Sequence, residues 1–283
     1  MLAERFPSLL PTLTEKQRLT ATKIHSLAGL PLEGILAGMP PFRAPHHVTS
    51  EVGLIGGGST PRPGEISLAH HGVLFLDEFP EYRRAAIEAL RAPLENGKVL
   101  ITRARCSMEF PARFQLIGAM NPCPCGRLGS DGQRCDCSAI GIQKYMQKLS
   151  QPILDRIDLH VELEPVPLSV LTSNFAHARA EADDLRAMVR RARVTQIERS
   201  GKLNSTLGTE ELKQQIDLDT RSKTLLERSS QQLGFTARSF VRILRTAQTI
   251  ADIQGDKHVT STHIAEAISL RKLERLQKHV QAA

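Results

Sequence analysis

Residues 72–78 read Gly72-Val73-Leu74-Phe75-Leu76-Asp77-Glu78, and this stretch decides the fold. Its four apolar residues do not alternate with polar ones, as those of a half-exposed strand would. Continuous apolarity at this length predicts a strand buried on both faces, as in a parallel α/β sheet. A second run of the same kind, Phe114-Gln115-Leu116-Ile117-Gly118-Ala119-Met120, ends at Asn121-Pro122. Between the two, Ile87, Leu90 and Leu94 fall on one side of a helical stretch whose length Pro93 limits. A hairpin is expected next, out along Val99-Leu100-Ile101-Thr102 and back along Ser107-Met108-Glu109-Phe110. Asp158-Leu159-His160-Val161-Glu162-Leu163 alternates and predicts a more exposed strand.

The chain around these elements has 283 residues, 41% of them apolar and 24% charged. That is enough for a buried core and for two domains, and it excludes a disordered or fibrous protein. Nine Phe, two Tyr and no Trp argue against a site built from stacked rings. No apolar run approaches the ~20 residues that span a bilayer, and Glu4-Arg5 argues against a secretory leader. A cytoplasmic protein without membrane contact is expected. No internal repeat is present. By texture the chain divides into an α/β region (1–165), a connector with a charged amphipathic helix (166–205) and a helical tail (206–283). The connector helix carries Ala182, Leu185, Met188, Val189 and Ala192 as an apolar stripe. Phe240, Ile243, Leu244, Ala247, Ile250 and Ala251 repeat the pattern. A last helix is capped by Thr260, with Ile264, Ala267 and Ile268 inward.

The formal charge is +7 and the isoelectric point about 9.4, a balance that permits a polyanionic partner without demanding one. Lys98, Arg103, Arg105 and Arg113 cluster on and around the expected hairpin with Glu109 as the one acid. Two readings stay open: a charged hairpin edge protected from aggregation, or a contact to nucleic-acid phosphates. Four of the five cysteines, Cys123, Cys125, Cys135 and Cys137, crowd into fifteen residues, while Cys106 reads as an ordinary thiol.

A buried strand that ends in two acids is the pattern of a Walker B motif. It places carboxylates at the carboxyl edge of a sheet, where α/β folds bind ligands. There Asp77 can hold Mg²⁺ and Glu78 can orient or deprotonate an attacking water. Asn121, forty-three residues after Glu78 at the end of the second run, suits a polar sensor beside a γ-phosphate. Arg156 is placed to reach a neighbouring subunit's nucleotide, and Arg238 opens a helix of the tail. Each also has a plainer reading: a loop amide, a structural ion pair, a surface charge.

The stretches FRAPHH (Phe42–His47), LIGGGSTPRPGEISLAHHGVLFLDEFPE (Leu54–Glu81), AMNPCPCG (Ala119–Gly126) and LDRIDLHVE (Leu154–Glu162) together resemble the magnesium-chelatase-related AAA+ ATPases. Within them the resemblance is to the ComM/YifB type, associated with DNA branch migration. It covers nearly the whole chain. It implies a P-loop NTPase core with a parallel sheet, followed by a helical lid bundle, working as a homo-oligomeric ring, a hexamer, driven by ATP and Mg²⁺. By resemblance Asp77 and Glu78 are Walker B, Asn121 is sensor 1, Arg156 the arginine finger and Arg238 sensor 2. The hairpin with Lys98, Arg103 and Arg105 resembles one that lines the central pore of related motors, and Val52–Ser67 resembles the family's insert in the second helix.

One part of the family pattern is not found. No G-x-x-x-x-G-K-[ST] occurs in these residues, and Gly56-Gly57-Gly58 leads to Ser59-Thr60-Pro61 without a lysine. The resemblance implies that Met1–Arg5 corresponds to the helix behind the phosphate loop, so the chain is expected to be a truncated core. Lacking the loop amides and lysine, it is expected to hold nucleotide weakly and to hydrolyse little ATP alone.

The cysteines form two C-x-C pairs with nine residues between Cys125 and Cys135, and four thiolates can close a tetrahedral structural Zn²⁺ site. The alternative is four reduced surface thiols. His46-His47 and His70-His71 invite a metal reading too, but adjacent side chains on a strand point apart, which makes shared ligation awkward and favours structural or substrate-loop roles. Three functions compete: a DNA-acting motor module, a chelatase-like subunit that remodels a protein partner, and a non-enzymatic fragment that joins rings of complete subunits.

Overall fold

The computed structural model describes residues 2–103, 106–129, 134–163, 175–233 and 235–271. The chain divides into two compact units, Met1–Arg156 and Ile157–Ala283. The first is α/β and the second is helical.

In the first unit, three parallel strands form a sheet in the order β1 (Phe42–Arg43), β4 (Val73–Leu76), β7 (Gln115–Gly118). The two apolar runs are therefore neighbours, with Val73 opposite Gln115 and Leu76 opposite Gly118. Val73, Leu74 and Leu76 are fully buried, as continuous apolarity requires. Gly72 is where β4 must begin without a side chain, because a Cβ there would lie 1.9 Å from the Pro41 carbonyl oxygen. Pairing continues just past the strand ends, with Ala119 N–H donating to Leu76 O (2.9 Å) and Phe79 N–H to Ala119 O (2.8 Å). A short antiparallel pair, β2 (Gly56–Gly57) and β3 (Arg62–Pro63), occupies the segment between Val52 and Ser67.

The helical stretch after β4 is two pieces, Arg84–Ala89 and Arg91–Asn96, joined at Leu90. Pro93 stands in the first turn of the second piece, where its missing N–H would have no intrahelical acceptor. Ile87, Leu90 and Pro93 are buried. The hairpin follows as β5 (Lys98–Arg103) and β6 (Cys106–Pro111), with Val99, Ile101 and Phe110 buried and Leu100 63% exposed.

In the second unit, a 26-residue helix, Phe175–Ser200, precedes Thr209–Gln215, Thr220–Leu233, Ala237–Gln254 and Ser261–Ser269. The last two carry the predicted core: Ile243, Leu244, Ala247, Ile250, Ala251, Ile264, Ala267 and Ile268 are buried, whereas Phe240 is 36% exposed. Thr260 is the N-cap, and its backbone N–H donates to His263 Nδ1 (3.0 Å). A buried polar network joins these helices. Asp252 accepts from Arg199 Nη2 (2.9 Å) and Asn204 Nδ2 (2.8 Å), and the Asn204 backbone N–H donates to Gln196 Oε1 (3.1 Å).

Two expectations are corrected. Asp158–Leu163 forms no strand among the described residues; His160 makes a single parallel bridge to Arg271, and Leu159, Val161 and Leu163 are exposed. The stripe on Phe175–Ser200 is also less buried than its spacing predicts: Ala192 is buried but Leu185 is 46% exposed. Periodicity records a capacity to pack, and the neighbour that would use it is not among the described residues there.

Candidate functional site

Parallel strands bring their carboxyl ends to one rim, so the residues after β1, β4 and β7 arrive together. Asp77 and Glu78 follow β4, and Asn121 lies three residues beyond β7. All three are exposed, on a rim where β4 is buried but β7 is not: Leu116 and Ile117 are half-buried and Gln115 and Gly118 are exposed, so the second apolar run is less covered than its composition predicts. Asp77 Oδ1 accepts from the Glu78 backbone N–H (2.9 Å), which fixes the turn. Glu78 adopts a left-handed conformation, φ 51°, that a non-glycine residue seldom takes. The turn aims the two carboxylates differently although they are adjacent in sequence.

The loop after β1 supplies His47, which by sequence reads only as a structural or loop residue. His47 Nδ1 lies 2.8 Å from Glu78 Oε2. Its ring meets Tyr82 edge-on at 6.5 Å between centroids, and the Tyr82 hydroxyl donates to the Pro45 carbonyl. Burial first, then the charge of Asp77, push the Tyr82 hydroxyl up to about 12, so it remains a donor at neutral pH. The signal was available: once β1 is placed beside β4, its following loop must reach the Glu78 rim. The expectation that adjacent histidines point apart is corrected for both pairs. The His46 and His47 rings stand 4.2 Å apart and those of His70 and His71 3.8 Å, because neither pair lies on a strand and His71 has φ 64°. His70 is structural: Nδ1 accepts from the Arg113 backbone N–H (2.9 Å), and burial pushes its pKa down to about 3.

Arg156 does not extend from its unit. Its side chain is 6% exposed; Nη2 pairs with Glu95 on Arg91–Asn96, and Nη1 donates to Pro152 O (2.7 Å). The sequence reading aims it at a neighbouring subunit, whereas here the carboxylate and carbonyl hold it inward. Arg238 is an exposed residue in the first turn of Ala237–Gln254, in the second unit. Lys98 Nζ is 2.7 Å from Glu109 Oε2 across the hairpin, so this cation already has a partner. Arg103 ends β5; its side chain and the whole of Arg105 lie outside the described residues.

The cysteines converge. Cys123 Sγ is 3.4 Å from Cys125 Sγ and 3.7 Å from Cys135 Sγ, Cys125 and Cys135 are 3.7 Å apart, and all four sulfurs lie within 4.8 Å of one another. Sulfurs ~2.3 Å from a central Zn²⁺ would stand about 3.8 Å apart at tetrahedral angles, so the donor set fits that ion. The Arg127 backbone N–H, then the Cys123 thiol, hold Cys125 down at about 6. Cys135 is pushed up to about 12: the Cys137 backbone N–H lowers it, but desolvation and the adjacent thiols outweigh that. Four sulfurs this close do not ionise together without a cation between them.

Comparison with known proteins fits this geometry. The family described as magnesium chelatase, subunit ChlI, matches residues 1–171, and its C-terminal counterpart matches residues 179–271. The chain belongs to the magnesium chelatase ChlI family. Among curated ChlI-family relatives, the competence protein ComM of Haemophilus influenzae is 41% identical over 98% of this chain and 54% of its own length. YifB of Escherichia coli is 40% identical over 99% of the chain and 55% of its own length. The magnesium-chelatase 38 kDa subunit of Chlorobaculum parvum is 26% identical over 76% of the chain. This ChlI-family chain spans about half the length of the ComM and YifB relatives it matches. Among the described residues, no helix is long and apolar enough to cross a membrane.

Proposed function

We propose that the chain is part of an ATP-driven AAA+ motor module of the ComM type, cytoplasmic and acting on DNA as a homo-oligomeric, hexameric ring. The observation that carries the reading is the shared rim: two acids after one buried strand and an asparagine after its parallel neighbour. In this reading Asp77 holds the Mg²⁺ of a nucleotide, Glu78 orients the attacking water, and Asn121 senses the γ-phosphate, with Arg156 and Arg238 contributing guanidinium groups. A bound Mg²⁺ neutralises the charge that develops on the phosphate oxygens. Lys98, Arg103 and Arg105 contact DNA phosphates, and Cys123, Cys125, Cys135 and Cys137 hold a structural Zn²⁺. The greater similarity to ComM than to the chelatase subunit supports DNA over a protein partner.

No G-x-x-x-x-G-K-[ST] is present in these 283 residues, so the chain alone is expected to turn over ATP negligibly. The test mixes it with a phosphate-loop-bearing ComM and measures ATP hydrolysis with and without DNA. Dependence of the mixed activity on Glu78, lost in Glu78→Gln, supports the reading. Glu78-dependent turnover by the isolated chain overturns the inactivity, and indifference to DNA together with binding of a protein partner favours a chelatase-like remodelling subunit. Inhibition of ComM without any Glu78 dependence favours a non-enzymatic fragment that joins its rings.

A further inference from the structure

The four cysteines begin two residues after Asn121, and the chain between them leads directly into the helix Ala139–Met146. Both ends of this excursion return to Asn121. At its start, the Gly126 backbone N–H donates to Cys123 O (3.0 Å), closing the turn that carries the first two sulfurs. That turn passes close beside the asparagine: a Cβ added at Gly126 would lie 3.7 Å from Asn121 Cγ and 3.8 Å from its Nδ2. Gly126 has φ 76°, so the close approach depends on a left-handed turn that glycine adopts without strain. At its end, Cys137 is followed by Ser138, whose Oγ accepts from the Gly141 N–H (3.1 Å) and caps the helix. Seven residues on from this cap, the Tyr145 side chain is buried, and the Asn121 backbone amide lies within electrostatic reach of its hydroxyl.

We propose that the four-cysteine centre is a positioning device for Asn121: one divalent zinc ion, by tying Cys123 to Cys137, fixes both the turn against the asparagine side chain and the helix that brings Tyr145 to its backbone. The proposal rests on the zinc reading above and adds to it a role for the metal beyond holding its own loop. Metal binding joins the beginning and the end of one excursion, so its removal releases the two supports of Asn121 together. The sheet lies outside this circuit, since β4 and β7 are held by their own ladder.

The experiment uses the whole chain, purified with zinc, then stripped by a chelator under reducing conditions and reloaded with Zn²⁺ alone. Three quantities are read: zinc per chain, hydrogen exchange by peptide, and the side-chain amide resonance of Asn121, assigned by its disappearance in Asn121→Ser. Support is one zinc per chain, with exchange in 119–127 and 139–146 at least tenfold faster on stripping, the Asn121 resonance displaced, and both restored on reloading. Peptides from β4 and from Ala237–Gln254 stay protected throughout. Cys125→Ser provides a second route, because Cys125 is exposed whereas Cys123 is buried; it is expected to reproduce the stripped state without unfolding the chain. Absence of bound zinc removes the zinc reading and this proposal with it. One tightly bound zinc whose removal leaves the Asn121 resonance and the exchange of 119–127 unchanged overturns the proposal and leaves the zinc reading standing.

Discussion

Arg156→Ala separates a guanidinium held within its own unit from one free to reach a neighbour. The side chain is 6% exposed and is shared between the Glu95 carboxylate and the Pro152 carbonyl. Loss of a hydrogen bond to a charged group costs about 1.5–3 kcal/mol, and two buried methylenes of the stem add roughly 1.6 kcal/mol. Two terms offset this. Glu95 is 45% exposed and rehydrates once released, and the variant no longer desolvates a guanidinium. A net loss of about 2–3 kcal/mol follows, which in a unit of this size lowers its Tm by about 5–10 °C at ~2–4 °C per kcal/mol. Thermal and urea unfolding of Arg156→Ala, Glu95→Ala and the double variant measure it, with a coupling energy of about 1–2 kcal/mol expected from the cycle. Glu95→Gln, which keeps a hydrogen-bonding side chain, is expected to cost less than Glu95→Ala. A Tm shift within about 1 °C together with zero coupling refutes the reasoning, for such an arginine is not held by Glu95 and is as available to a neighbour as an exposed one.

Two further perturbations address charge. If the hairpin contacts DNA, Glu109→Gln frees Lys98 and steepens the dependence of log K on log salt by about 0.9, the value for one added phosphate contact. Fluorescence anisotropy on duplex DNA at several salt concentrations reads the slope, and an unchanged slope removes Lys98 from the contact. Acid is expected to destabilise both units. Burial lowers the folded-state pKa of His70 to about 3 and that of His160 to about 4, against 6.5 in the ordinary state. The unfolded chain therefore binds more protons below pH 6.5, so stability is full above that value. It declines as pH falls toward about 4, by at most ~1.4 kcal/mol per pH unit for each histidine. Urea midpoints at pH 7.5 and pH 5 test this; His70→Asn, which keeps an acceptor for the Arg113 N–H, is expected to flatten the dependence in the first unit, and a midpoint independent of pH sinks it.

What was legible in the sequence and what was not follow from the range of the interactions involved. The runs ending at Asp77 and Asn121 pair as parallel neighbours: the first is covered as continuous apolarity requires, whereas the second stays partly exposed because burial also depends on which elements pack over the strand. The rim follows from that pairing, whereas the cysteine centre was legible from its own clustering, four thiols within fifteen residues. Asp158–Leu163 shows the limit of pattern: its alternation is strand-like, yet a strand also needs a ladder partner, and a two-residue period does not supply one. The polar pairs were the least legible. Nothing near Arg156 in sequence marks Glu95, sixty-one residues away, among the other acids of the chain. His47 and Glu78 are equally remote until β1 is placed beside β4. Apolar residues declare their requirement through neighbours along the chain, since burial is a property of a whole face. A charge declares only that it needs a partner, and in this protein the fold chooses which one. The same choice gives Glu78 and Arg156 their partners, so motif spacing locates these side chains while their polar contacts decide what each must release before it can take another partner.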